Sequence, residues 1–146
     1  MRFGLEYNFV KSRSDVRKDT VNWIALADYG IETAQHMLAT ERYLYVIFLC
    51  HLALEKLLKA HVAEVTQTVP IRTHDLIYLV KKCELQLPAA HLDFIGKINT
   101  ASIPTRYPDD LQRSLKEYPK SVAKDYLNQT IELVQWLKQH PNLSES

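Results

Sequence analysis

Glycine is scarce in this chain. Three occur in 146 residues, at positions 4, 30 and 96. So few positions free to take left-handed backbone exclude a fold built from many tight turns, above all an all-β one. Their isolation also excludes a glycine loop that cradles phosphate, and no HExxH or GxSxG occurs either. Cysteine is nearly absent: Cys50 and Cys83 lie far apart, each inside a helical pattern. That excludes a disulfide framework and a cysteine zinc site, and leaves both as small buried apolar side chains. An excess of either charge is lacking too, with 18 Lys and Arg against 17 Asp and Glu. A bulk polycation that grips nucleic acid indiscriminately is excluded, and only a local basic patch remains open. The longest apolar run, YLYVIFLC at 43–50, falls far short of the roughly 20 residues that cross a bilayer. The N-terminal MRFGLEYNFVKSRSD lacks the apolar centre of a secretion signal. The expectation is a cytoplasmic protein with no membrane partner.

What is present is a composition 47% hydrophobic and 24% charged, ordinary for one domain with a real core. Its centre is residues 41–64, ERYLYVIFLCHLALEKLLKAHVAE, free of glycine and proline. The first half is apolar on every side, which a helix shows when neighbours cover it all around. In the second half His51, Glu55 and Lys59 follow at spacings of four, in one row with Leu44, Phe48 and Val62.

In chain order, residues 1–14 carry no helical period and read as an arm made basic by Arg2, Lys11 and Arg13, with Arg17 and Lys18 beyond. Asp15 is the expected cap of a first helix reaching residue 39. Thr20, Trp23, Ala27, Ile31, Ala34 and Leu38 recur there at threes and fours as one buried stripe. Asp28 borders that stripe, placed for a basic partner or for water. Thr40 is the expected cap of the central helix, and so short a link dictates an antiparallel hairpin. Pro70 falls where the central helix ends, and Thr73 reads as the N-cap of a short helix over 75–84, with Leu76, Leu79 and Val80 inward.

Pro88 opens a fourth helix to about residue 102, on Leu92, Ile95 and Ile98. Pro104, Pro108, Asp109 and Asp110 make 103–118 a long loop with one turn at most. Such loops are uncommon in compact domains and often functional, so residues 105–110 are the first place to look. Pro119 starts a last helix over 120–140, on Ala123, Tyr126, Thr130, Leu133 and Leu137, and Pro141 ends it. A frayed tail, 141–146, is expected beyond. The fold class is all-α: an up-and-down helical bundle of about five helices, one domain over 15–140.

Three groups of residues carry candidate chemistry. His51 and Glu55 are too few ligands for a metal, and Lys59 would oppose a cation, so no metal site is expected. Glu55 four residues before Lys59 is the favourable order for an ion pair, with Lys56 expected to face elsewhere. An exposed pair stabilises by only ~0.3–0.5 kcal/mol, but alignment with Phe48 and Val62 argues for burial, where breaking it is costly. Arg72, Thr73, His74 and Asp75 stand at a helix start, whose free N–H groups can hold an anion. His74 could transfer a proton there or be an ordinary capping histidine. Arg106 and Tyr107, before Pro108, Asp109 and Asp110, offer a fork for phosphate and a ring to stack on a base. Equally, Arg106 could pair with an acidic residue and fix its loop.

Trp23 with Ala27 and Asp28, HLALEKLLKA at 51–60, THDL at 73–76 and RYPDD at 106–110 together resemble the HEPN (higher eukaryotes and prokaryotes nucleotide-binding) domain, over about residues 20–140. The resemblance implies a helical bundle that forms a homodimer and needs no cofactor. It also implies a minimal nucleotidyltransferase partner, sometimes as a toxin–antitoxin pair. Many members are metal-independent ribonucleases marked by an Arg followed, after four to six residues, by a His. Here the positions after Arg106 are Leu111, Gln112 and Arg113, while Arg42 is too far from His51 and Arg72 too near His74. The leading expectation is therefore a non-catalytic module binding a nucleotide or RNA. Lys59, Arg72, His74, Arg106 and Tyr107 are its expected ligand contacts, oriented by Glu55, Asp75 and Asp109. The alternative is a divergent endoribonuclease toxin in which His74, Arg106 and Tyr107 are the catalytic candidates. The third is a purely structural dimerisation protein.

Overall fold

A computed structural model describes residues 16–144. They form six helices: α1 (Lys18–Ala39), α2 (Tyr43–Thr66), α3 (Leu76–Lys82), α4 (Ala89–Arg106), α5 (Leu111–Glu117) and α6 (Lys120–Gln139). No strand forms among the described residues. The central helix packs against each of the other five. Val46, Ile47, Cys50, Leu54, Leu57, Leu58 and Ala60 are fully buried along it, the outcome that an apolar surface on all sides requires. Cys50 and Cys83 are both free and buried, and burial pushes each thiol up to about 12. No helix among the described residues is long and apolar enough to cross a membrane.

α1 and α2 run antiparallel. At one end the Glu64 carboxylate accepts from the Thr20 hydroxyl at 2.7 Å and from the Arg17 N–H at 3.1 Å. At the other, residues 40–42 turn the chain, with Glu41 at φ 63°. Midway, a Cβ on Gly30 would stand 3.4 Å from the Ala53 Cβ, so two small residues let the axes approach. The expected stripe faces inward: Thr20, Ala27 and Ala34 are buried, and Trp23, Ile31 and Leu38 pack on the core. Asp28 pairs with Lys138 of α6 while staying half exposed.

Several boundaries differ from the expectation. There are six helices rather than about five. Arg17 holds the N-cap position of α1 without a side-chain cap, while Asp15 and the arm 1–14 lie outside the described residues. Thr40 does not cap α2; its N–H and hydroxyl bond back to the His36 carbonyl and close α1. Asp75, not Thr73, caps α3, its carboxylate accepting from the Ile77 and Tyr78 N–H groups.

The largest difference is at 103–118, which is not a long loop. α4 continues through Pro104 to Arg106, and α5 fills most of the remainder. A proline in a last turn removes one hydrogen bond, here to the Thr100 carbonyl, and the helix ends before more are lost. Buried Thr105 secures that turn by donating its hydroxyl to the Ala101 carbonyl at 2.8 Å. Asp110 then caps α5 by accepting from the Arg113 N–H at 3.2 Å.

The tail is not frayed as far as it is described. Leu143 is fully buried, and the Ser144 hydroxyl donates to the Lys138 carbonyl. Buried His61 joins α2 to this end. Its Nε2–H donates to the Leu137 carbonyl at 2.9 Å, and its Nδ1 accepts from the Asn142 amide at 3.2 Å. Burial, set against that carbonyl contact, holds the imidazole down to about 3.

Candidate functional site

The row His51, Glu55, Lys59 on α2 is buried along its whole length, at 0%, 1% and 6% exposure. Charged groups sit inside a bundle only when they are paired. Glu55 is the hub. One carboxylate oxygen accepts from Lys59 Nζ at 3.1 Å, and the other accepts from His74 Nδ1 at 2.8 Å. Burial pushes the Glu55 carboxyl up, but the bond from His74 and the Lys59 charge outweigh it, so the group is held below the usual carboxylate range.

Lys56 does not face elsewhere, as its place in the helix suggested. Its Nζ lies 3.7 Å from the same carboxylate. Both lysines also lie over the Trp23 ring of α1, at 5.2 Å and 5.5 Å from its centre. One indole thus shares two ammonium groups, an attraction that strengthens when water is excluded.

His51 has no such company. Neither ring nitrogen has a hydrogen-bond partner. The nearby Asn99 amide bonds to the start of α3, where its Oδ1 accepts from the Leu76 N–H at 2.9 Å and its Nδ2 donates to Asp75 at 3.3 Å. Burial drives the His51 imidazole down to about 4; the Glu55 charge and the neighbouring Asn99 amide oppose this, and the charges of Arg106 and His74 add to it. His51 is therefore a neutral ring lying between those two groups.

Arg106 is delivered by the last turn of α4, the turn that Pro104 was expected to abolish. Its guanidinium lies 4.7 Å over the Phe48 ring, one step up the same row of α2. It makes no hydrogen bond or ion pair with any described residue, and its buried Nη2 has no partner. The pairing with an acidic residue that would have made it a loop clamp is absent among the described residues. A guanidinium over an aromatic ring and without an acidic partner among the described residues keeps unspent donors for a phosphate or carboxylate.

The other expected contacts lie elsewhere. Tyr107 is 68% exposed just past Arg106, and Arg72 and Asp109 are exposed without ion pairs among the described residues. The anion cradle expected at the third helix start is closed, because Asp75 and Asn99 take the N–H groups of Leu76, Ile77 and Tyr78. Asp75 thus caps a helix instead of orienting a cation. Among the described residues no group of His, Cys, Asp and Glu could hold a metal ion. Sequence reasoning missed Phe48 as a platform, although it shares the row of Glu55. It also missed Asn99, for which the sequence carries no signal.

The fold finds counterparts among known proteins. The protein called TT1696 from Thermus thermophilus, known from a crystal structure, is similar with a TM-score of 0.72 at 19% identity, over 84% of this chain and 98% of that one. ST0689, an archaeal HEPN homologue, is similar with a TM-score of 0.67 at 24% identity, over 84% and 97%. No curated protein sequence matches. The model of the HEPN domain matches residues 20–140, which span α1 to α6 and every residue of the Glu55 cluster. The chain belongs to the HEPN domain family.

Proposed function

We propose that the chain is a nucleotide- or RNA-binding HEPN module whose ligand sits over the α2 row between Arg106 and His74. The observation that carries this is Arg106: a half-buried guanidinium seated on Phe48 with no protein partner among the described residues. Lys56 and Lys59 face a single carboxylate, Glu55, beside it, so the cluster has a positive surplus suited to phosphate. Isothermal titration with ATP and with short RNA tests the reading. Binding that weakens at least tenfold in Arg106→Ala is the expected result, and no heat from either ligand in wild type removes it.

The family membership further supports a homodimer acting beside a minimal nucleotidyltransferase, as in toxin–antitoxin pairs. Leu44, Tyr45, Leu111 and Leu115, with Glu41 and Arg42, line an open, mainly apolar groove of about 230 Å³ beside the α2–α5 contact. Tyr45, Leu111 and Leu115 are all exposed there, an apolar face of the kind that a second copy covers. Light scattering that returns a monomer at micromolar concentration counts against the dimer.

A second reading is favoured by one contact. His74 bonded to a buried carboxylate resembles an oriented general base, so a divergent metal-independent endoribonuclease is the competing function. Incubation of the protein with RNA in EDTA separates the two: cleavage abolished in His74→Ala makes it the enzyme, and intact RNA leaves the binding module.

A further inference from the structure

Resting on that ligand-binding reading, we propose that His74 discriminates ribose from deoxyribose, its Nε2 accepting a hydrogen bond from a 2′-hydroxyl while Arg106 holds a phosphate nearby. Glu55 gives His74 this capacity. An ionised carboxylate only accepts, so the 2.8 Å contact places a hydrogen on His74 Nδ1. In the neutral ring Nε2 is then a bare acceptor. Glu55 is fixed by its burial and by Lys59 on its other oxygen, so the ring is held in one orientation. The His74 side chain is 58% exposed, and Nε2 has no partner among the described residues. A buried carboxylate therefore aims an imidazole nitrogen at solvent.

The partner for that nitrogen follows from what shares its surface. Arg106 sits on Phe48 and His74 on Glu55, seven residues apart on one helix, or about 10 Å along its axis. A phosphate at Arg106 and a 2′-hydroxyl at His74 can therefore belong to one short strand. His51 lies between them with both ring nitrogens unpartnered, a second buried polar group without a protein counterpart. The cations contact phosphate and read RNA and DNA alike. The 2′-hydroxyl is the donor that only RNA has, and His74 Nε2 is the acceptor suited to it.

Fluorescence anisotropy with three short oligonucleotides of one sequence tests this: RNA, DNA and 2′-O-methyl RNA. Measurement at about pH 8 lies on the alkaline side of the ordinary histidine range. The full chain is expected to bind RNA roughly three- to tenfold tighter than both others, the worth of one net hydrogen bond. In His74→Ala the ratio of RNA to DNA affinity collapses to about one. Arg106→Ala weakens all three while the ratio persists. The methylated strand keeps a ribose-like sugar but has no hydroxyl hydrogen, so it separates donation from sugar shape. Equal affinities in wild type, an RNA affinity matched by the methylated strand, or a ratio that survives in His74→Ala each overturns the proposal while leaving the ligand site standing. No binding by any of the three removes the RNA reading of the site, and His74's role with it, while a nucleotide such as ATP is tested separately by calorimetry.

Discussion

Neutralising Glu55 tests the description of the α2 row most directly. Glu55→Gln keeps the shape of the side chain and removes its charge. Lys59 Nζ, 3.1 Å away on a side chain 7% exposed, then remains buried without a counter-ion. Lys56 is partly exposed and can turn to water, and so can His74, so Lys59 alone sets the size of the effect. Breaking a buried pair by removing one partner costs about 3–5 kcal/mol. The amide oxygen still accepts from Lys59, which places the variant near the lower end, at about 3 kcal/mol. At roughly 2–4 °C per kcal/mol for a chain of this size, melting falls by roughly 6–12 °C. Circular dichroism of the helical signal reads it, at fixed protein concentration. The double variant Glu55→Gln/Lys59→Met removes the orphaned charge and is expected to recover most of the loss, since an apolar replacement of a buried pair is often neutral. A single variant melting within about 2 °C of wild type, or a double variant no better than the single, refutes the claim that this row is desolvated.

Other expectations follow from particular contacts. Gly30→Ala places a methyl at ordinary contact distance from Ala53 and gains up to ~1 kcal/mol of helix propensity, so urea unfolding should show a stability gain; a loss would mean that the α1–α2 approach has no slack. Leu143→Ala should cost roughly 2–5 kcal/mol because the side chain is fully buried, and an unchanged urea midpoint would return the tail to the frayed state. Stability should also fall in acid. His51 and His61 are held down to about 4 and about 3, whereas unfolded histidine titrates near ~6.5. The unfolded chain therefore binds more protons below that pH, so stability is full above about 6.5 and declines toward about 4. The slope is up to ~1.4 kcal/mol per pH unit for each ring. Urea midpoints at about pH 7.5 and about pH 5 measure it, on either side of the unfolded value. A flat profile refutes it, and His61→Gln should make it shallower.

The helical class, the hairpin of α1 and α2 and the inward stripes were legible in the sequence because they depend on local periodicity and short links. So was the polar row of α2, since spacing on a helix fixes which residues share a face. Even the pairing of Glu55 with Lys59 follows from a spacing of four. The path from residue 103 to 118 was not legible. Pro104 discourages a helix locally, yet the burial of Ala101 and Thr105 against the bundle carries α4 one turn further. Tertiary packing there outweighs a single lost hydrogen bond, and Arg106 lands on Phe48 as a result.

The sequence by itself marked His51, Glu55, Lys59, His74 and Arg106 as candidates for chemistry, because residue type and helical spacing are local facts. Only the tertiary structure decided which of them meet. His74 and Arg106 come from segments far along the chain, and their positions over α2 depend on how α3 and α4 pack against it. Tyr107, Arg72 and Asp109 look equally chemical in the sequence, and that same packing leaves them in solvent. The missing histidine after Arg106 is a fact of sequence. The carboxylate-held His74, seated over the same row of α2 as Arg106, is a fact of the fold, because long-range contacts set the side-chain geometry that local spacing leaves free.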